Sequence, residues 1–397
     1  MHKLSIDEVN LNEKKVLIRV DYNVPMLDGE ITDDSRIVST IPSIRKILKS
    51  GGSLILMSHL GRPKGKIDKQ LSLQPVAERL SELLEEKVTF LPDCIGPKVK
   101  KHIAAIKPGE IILLENLRFH PGETKNNWGF AKKLAEHGDI YVNDAFAVSH
   151  RAHASVVGVP KMLQPACAGY LIAKEITYMS MLLDDAPSPF VAIIGGAKVS
   201  TKIDVLKNLL PRVDKLLIGG GMAFTFLATL GLEIGESLVE KDALDVAMNI
   251  WVKSEEMGGK MMLPLDVLVA SEISEEALMK TVEYDHIPKE WVGVDIGQST
   301  IQLFSGIIEE SKSVFLNGPM GIFEYERFSV GSEAILESMS EVADRGDIAV
   351  VGGGDSAAAA KRLGFQNSMT HISTGGGASL EFMEGKSLPG IEALTDN

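Results

Sequence analysis

The sequence predicts an α/β protein of two domains, each built on a parallel sheet covered by helices on both faces. Three observations carry that expectation. At 397 residues the chain exceeds the size at which a single hydrophobic core stops growing. Short runs rich in Val, Ile and Leu recur with helix-period segments between them, and runs apolar at every position suit strands buried on both faces. The series is interrupted once, between Ala168 and Phe190.

In chain order the first series is VLIRV (16–20), LILMS (54–58), IILLE (111–115) and DIYVN (139–143). The interruption holds AGYLIAKEITYMSMLLDD, an amphipathic helical pattern, and then APSP at 186–189, whose prolines mark the domain boundary. The second series is VAIIG (191–195), KLLIG (215–219), MMLPL (261–265), SVFLN (313–317) and IAVVG (348–352). No short tandem repeat is visible.

Composition narrows the function. Hydrophobic residues make up 45% and charged residues 24%, which is ordinary for a folded chain and leaves no case for extensive disorder. A formal charge of −13 argues against a nucleic-acid surface, which needs a basic face, but allows a small anionic ligand where basic residues cluster. The start MHKLSIDEVN has neither a charged leader nor an apolar h-region, and no apolar run approaches membrane-span length. A cytoplasmic protein with no membrane partner is expected. Cys94 and Cys167 are too few for a disulfide framework and lack metal-ligand spacing, so they read as buried reduced thiols.

Open α/β sheets place ligands at the carboxyl ends of their strands, and the two halves differ there. The second half carries glycines: GGAK (195–198), GGGMAF (219–224), GGGDSA (352–357) and TGGGAS (374–379). Glycine lets backbone approach a ligand, and the free N–H groups of a helix start face an anion. One such corner is weak evidence, because tight turns use glycine for steric reasons alone. Four in one half describe a phosphate-binding rim. None is a Walker A loop. GGGDSA satisfies G-x-G-x-x-A, but the ribose-binding acid expected about 20 residues on is absent from FQNSMTHISTGGG.

Asp355 would repel phosphates unless a cation lay between, and a magnesium ion bridging the carboxylate and the phosphates resolves the conflict. Its bland alternative is an acid favoured by the helix dipole. Lys198 and Lys202, in GGAKVSTK, lie one helical turn apart and are expected on one face of the helix beginning there, ready for phosphate oxygens. A solvated lysine pair is the alternative reading.

The first half carries cations: RVDYNVP (19–25), Arg36, SHLGRP (58–63), ENLRFH (115–120) and SHRAHAS (149–155). Arg36, His59, Arg62, Arg118, His150, Arg151 and His153 would form a dense positive pocket for a ligand with several negative charges, since the arginine fork suits phosphate and carboxylate. Asp21 and Asn23 are expected to alternate outward from their strand and to meet a ligand hydroxyl. Each residue singly reads as a salt bridge or a satisfied histidine; convergence of five loops favours a pocket.

These motifs, in this order, resemble the phosphoglycerate kinase family: VLIRVDYNVP, SHLGRP, ENLRFHPGE, NDAF with HRAHAS, GGAKV, GGGMAFTFL, NGPMGIFE, GGGDSA and STGGGASLE. The resemblance spans essentially the whole chain. It implies two similar-sized domains, each a mainly parallel sheet flanked by helices, with an interdomain cleft and hinge. Residues 1–170, joined by a returning tail from about 376 to 397, would bind 3-phosphoglycerate or 1,3-bisphosphoglycerate. Residues 171–189 would form an interdomain helix and linker, and 190–375 would bind ATP or ADP with Mg²⁺.

The same resemblance implies Asp21, Asn23, Arg36, His59, Arg62, Arg118 and Arg151 at the phosphoglycerate. It implies Gly196, Lys198, Lys202, Gly219, Gly220, Glu324, Gly352, Gly353, Gly354, Asp355 and Ser356 at the nucleotide, with Glu324 near the ribose and Asp355 on the metal. Arg36, Lys198, Lys202 and the N–H groups of Gly375 to Gly377, Gly376 included, would surround the phosphoryl group in transfer. A hinge near 168–190 and near 370, and a monomer, are also implied. The chain departs from many members at Ala147 and Val148, where Gly-Thr is common, and at Ser356, where others have Thr. Two competing readings are a nicotinamide-dependent dehydrogenase, which NAD binding would reveal, and a non-catalytic nucleotide sensor, which would not need the arginine pocket.

Overall fold

The computed structural model describes residues 2–397. The chain divides into two compact units, the first reaching Thr177 and including Ser387–Asn397, the second Tyr178–Lys386. Among the described residues no helix is long and apolar enough to cross a membrane.

The first unit holds strands β1 (Lys15–Val20), β2 (Ser53–Met57), β3 (Val88–Leu91), β4 (Ile111–Leu114), β5 (Ile140–Asp144) and β6 (Ala166–Ala168). They form one parallel sheet in the order β3-β4-β2-β1-β5-β6. Strands β2, β4 and β5 are buried along their whole length, as parallel strands covered on both faces must be. The flanking helix Gln74–Leu84 shows why the intervening segments coil: Val76, Ala77, Leu80 and Leu84 fall on one face and are buried.

Strand β3 was not expected, because VTFL is half exposed at the sheet edge and carries no continuous apolar signal. Strand β6 was missed as well: its ACA residues are too small to announce a strand.

The second unit holds β7 (Phe190–Ile194), β8 (Lys215–Ile218), β9 (Met261–Met262), β10 (Asp266–Ala270), β11 (Met279–Glu283), β12 (Val292–Ile296), β13 (Ser313–Asn317), β14 (Ile348–Gly352) and β15 (His371–Ile372). Its parallel sheet runs β9-β8-β7-β13-β14-β15. MMLPL yields only a two-residue strand, since Pro264 cannot donate to a ladder. A separate antiparallel sheet, β11-β10-β12, was not anticipated; β11 is mostly exposed and reads as polar chain.

Within the segment expected as interdomain helix and linker the helix spans Tyr170–Asp184, and the division between units falls within it. The returning tail starts later than expected. Residues 376–386 belong to the second unit, where the Asn208 side-chain amide donates to Met383 O at 2.8 Å and Lys386 pairs with Asp204 at 3.0 Å. From Ser387 the chain packs on the first unit: Gly390 N–H donates to Ser149 O at 2.8 Å, and Leu4 N–H to Thr395 O at 2.9 Å.

Candidate functional site

In the first unit, loops leaving the carboxyl ends of β1, β2, β4 and β5 hold the expected cations. The chain leaves β1 at Val20, so Asp21 and Asn23 sit in the following loop and do not alternate outward from the strand. Asn23 Oδ1 accepts from Gly61 N–H at 2.8 Å, tying this loop to SHLGRP. Asp21 is ion-paired with Arg36 and lies 3.6 Å from His59 Nδ1. Arg118 rides on a short 3₁₀ turn, Leu117–Phe119, whose start is capped by the Asn116 side chain. Its Nη1 donates to Gly61 O at 2.7 Å, while its buried Nε has no partner. Arg151 Nε meets His150 Nε2 at 3.1 Å. Arg62 is exposed and, among the described residues, unpaired.

Beneath these groups lies Arg19, the cation of RVDYNVP, to which the sequence alone assigned no role. Arg19, in the middle of an apolar strand run, is fully buried. It donates from Nε to Ser155 Oγ at 2.9 Å and from Nη1 to Val20 O, and its Nη2 faces His59 Nδ1 at 3.1 Å. Ser155 in turn donates from Oγ to buried Glu123 at 2.6 Å. The signal available was the arginine itself, since a charge inside a buried strand requires partners.

Electrostatics mark this cluster as cation-rich. Burial, then the neighbouring Arg19 and Arg118, hold His59 well below the usual histidine range. Burial and the same two arginines push His153 down to about 4. Arg118 is lowered to about 10 by burial, Arg19 and Arg151. Like charges disfavour one another's protonated forms, and an anion among them would reverse that.

In the second unit a cavity of ≈ 410 Å³ opens beside the glycine corners. Gly196, Gly220, Glu324 and Asp355 line it, as does an apolar wall including Phe224, Val292, Ile273 and Met320 that the sequence reading did not identify. Gly220 has φ +67, and a Cβ there would lie 2.4 Å from Gly196 N, so only glycine fits. Gly219 and Gly352 are buried and serve packing: a Cβ would strike Met320 Sδ at 2.3 Å and Phe315 at 2.7 Å respectively. Gly353, at φ +90, turns the chain into the helix Gly354–Arg362. Ser356 is also buried; its Oγ accepts from Gly318 N–H at 2.6 Å and it is absent from the cavity wall.

Lys198 and Lys202 do not share a helical face. The helix begins at Ile203, with Lys202 as its N-cap and Lys198 exposed in the preceding bend. The positive-φ turn at Gly196 delays the first helical turn. Lys202 reaches Asn317 Oδ1, a partner at the end of β13 that could have been read from the NGPMG motif.

Gly375 spends its N–H on Ser373 Oγ at 3.1 Å, which narrows the expected donors to Gly376 and Gly377 at the start of the helix Gly377–Met383. Asp355 stands exposed in the first turn of its helix without a hydrogen bond or ion pair among the described residues. A free carboxylate on the wall of a cavity fits magnesium, which binds through one or two carboxylates and otherwise through water and phosphate.

The family model described as phosphoglycerate kinase matches residues 6–386. The chain belongs to the phosphoglycerate kinase family. It is 51% identical over 396 residues to the phosphoglycerate kinase of Chloroherpeton thalassium and 50% identical over 397 residues to that of Chlorobaculum tepidum, each match covering 100% of both chains. Among solved structures, the phosphoglycerate kinase from Coxiella burnetii superposes with TM-score 0.90 at 43% identity, and that from Pyrococcus horikoshii with 0.84 at 32%, each covering 98% of both chains.

The chain is therefore a phosphotransferase of glycolysis. Of the two departing residues, Val148 is buried with Ala145, Val156 and Val157.

Proposed function

We propose that the first unit holds 3-phosphoglycerate and the second MgATP, and that the γ-phosphoryl group passes to the substrate carboxylate, reversibly, giving 1,3-bisphosphoglycerate and MgADP. The observation that carries the assignment of substrate to the first unit is the cationic cluster of Arg19, Arg36, Arg118 and Arg151, with Asp21 the carboxylate paired to Arg36. A polyanionic ligand relieves the mutual repulsion recorded in Arg118 and His153.

Arg36, His59, Arg62, Arg118 and Arg151 bind the phosphate and carboxylate of the ligand, and Asp21 with Asn23 meets its hydroxyl. The acceptor is a carboxylate, already ionised at neutral pH, so no general base is required. The barrier is the approach of anion to anion, and catalysis rests on position and charge neutralisation. Arg36, Lys198, Lys202 and the N–H groups of Gly376 and Gly377 supply that charge and those donors.

In the second unit Gly196 and Gly220 admit the nucleotide against the apolar wall, Glu324 faces the ribose, and Gly353 with Gly354 opens the helix start to phosphate. Asp355 would hold magnesium, which would supply positive charge to offset that of the phosphates. Ser356 acts one step back, fixing Gly318, and Gly219 and Gly352 allow the close packing beneath. Substrates on separate units must be brought together with water excluded. The chain crossings at Thr177 to Tyr178 and at Lys386 to Ser387 are the places assigned to absorb that motion.

The test is turnover of 3-phosphoglycerate and ATP with and without Mg²⁺, drawn forward through glyceraldehyde-3-phosphate dehydrogenase and NADH oxidation. Magnesium-dependent turnover, abolished in Asp355→Ala and Lys198→Ala, is the expected result. Undiminished turnover in either variant overturns its assigned role.

A further inference from the structure

We propose that Asp93, Cys94 and His120, in the first unit, form a binding site for a borderline-soft divalent cation of the zinc class, with water as fourth ligand. The sequence alone offers no such spacing. The fold supplies it: Asp93 and Cys94 follow β3, His120 follows the 3₁₀ turn beyond β4, and these two strands are neighbours in the sheet.

One carboxylate oxygen, the thiol sulfur and one imidazole nitrogen all lie within 4.8 Å of one another. In a tetrahedral site with metal–ligand bonds of about 2.0–2.3 Å, ligand atoms stand about 3.3–3.8 Å apart, so small shifts close the triad around an ion.

The ligands are already held. His120 stacks on Phe130 with ring centroids 5.0 Å apart, and its Nε2 lies 2.8 Å from Asp93 Oδ1. Asp93 is anchored because Oδ1 accepts from Cys94 N–H at 2.6 Å. Cys94 is anchored through its carbonyl, which lies 2.9 Å from His137 Nε2. Its Sγ is buried and donates to Glu115 O at 2.8 Å. Asp93 is exposed and His120 partly so, which gives an ion its way in.

A sulfur, a nitrogen and an oxygen donor suit zinc and cobalt, whereas magnesium prefers oxygen throughout. On binding, the S–H bond of Cys94 breaks, its proton leaves to solvent, and a sulfur–metal bond replaces the hydrogen bond to Glu115 O, while the proton on His120 Nε2 that faces Asp93 shifts to Nδ1 as the imidazole takes up the ion. The site is separate from Asp355, which lies in the other unit. His120 is two residues from Arg118, so an ion here ties the Arg118 loop to the segment after β3.

The test titrates the full-length chain, free of nucleotide, with Co²⁺ and reads the thiolate-to-cobalt absorption band. One equivalent giving a tetrahedral spectrum, displaced by Zn²⁺, is expected. Cys94→Ser should abolish the band, Cys167→Ser should leave it, and His120→Ala should weaken cobalt binding at least about tenfold. Should Cys94→Ser fold poorly, His120→Ala decides alone. Cobalt binding without a thiolate band, a band that survives Cys94→Ser, or unchanged affinity in His120→Ala overturns the proposal.

Discussion

Lys202 donates a hydrogen bond to Asn317 Oδ1 from a partly buried position, and burial pulls its ammonium down to about 8 even though Asp355 and Glu384 favour the charged form. Below that pH the lysine is charged and available to a phosphate; above it the charge is lost. We expect kcat/KM for ATP, which reports groups of the free enzyme, to fall as pH rises through about 8. Lys202→Arg keeps its charge over that range and should lose this limb of the profile. A limb of unchanged position in that variant would assign it to another group.

Arg36 pairs with Asp21 but remains more than a third exposed, so its contribution to folding is small. Arg36→Ala should lower kcat by about 10³, the scale of an arginine that neutralises phosphoryl transfer, while stability changes by about 1 kcal/mol or less. Steady-state kinetics beside a urea melt check both halves. A near-normal kcat sinks the assigned role.

Gly220 sits at φ +67 with Gly196 N, Gly196 O and Pro319 O all within 3.0 Å of where a Cβ would stand. Gly220→Ala should therefore lose about 1–3 kcal/mol through backbone strain and weaken MgADP binding together. Calorimetric melting and a nucleotide titration measure the two effects. Gly354→Ala, where a Cβ meets nothing within 4 Å, is the matched control for stability.

Asp355 is exposed and unpartnered, so Asp355→Asn should leave the melting temperature unchanged. The magnesium concentration for half-maximal activity should rise about 10–100-fold, the scale of a lost metal-site partner. A melting shift instead would mark the carboxylate as a helix-dipole residue.

Asp144 and Asp295 are buried at the ends of β5 and β12, and burial raises each from 3.8 to about 7 despite backbone N–H donors. Between those two values the folded state binds protons that the unfolded state has released. Stability from these groups is therefore present at low pH and lost as pH rises towards 7. Asp295→Asn should flatten its share of that slope, read from melting temperatures across the interval.

Much of the scaffold was legible. Every apolar run singled out in the sequence became a strand of a parallel sheet, because a strand buried on both faces needs apolar side chains at every position. The edges were less so. VTFL is only partly buried, ACA is buried but built of small residues, and His371–Ile372 is two residues long, so none of the three carries a strong apolar pattern.

The candidate site divides the same way. Asp355, Gly220, Gly196 and Glu324 were legible as glycine-corner or motif residues, and all border the cavity. The apolar wall was not, because Phe224, Val292 and Met320 look like any core residues until their one open side is known.

Fold class, family and the kinds of charge each half presents could be read along the chain, because periodicity and motif order are local properties. Which of those residues border the cavity or the cationic cluster, and which pack beneath them, came from the tertiary structure. Arg19 became the buried member of a cationic cluster, Ser356 turned inward to hold Gly318, and Cys94 came to stand beside His120. Each of these depends on contacts between residues distant in sequence, which only packing in three dimensions brings within hydrogen-bonding or ligand distance.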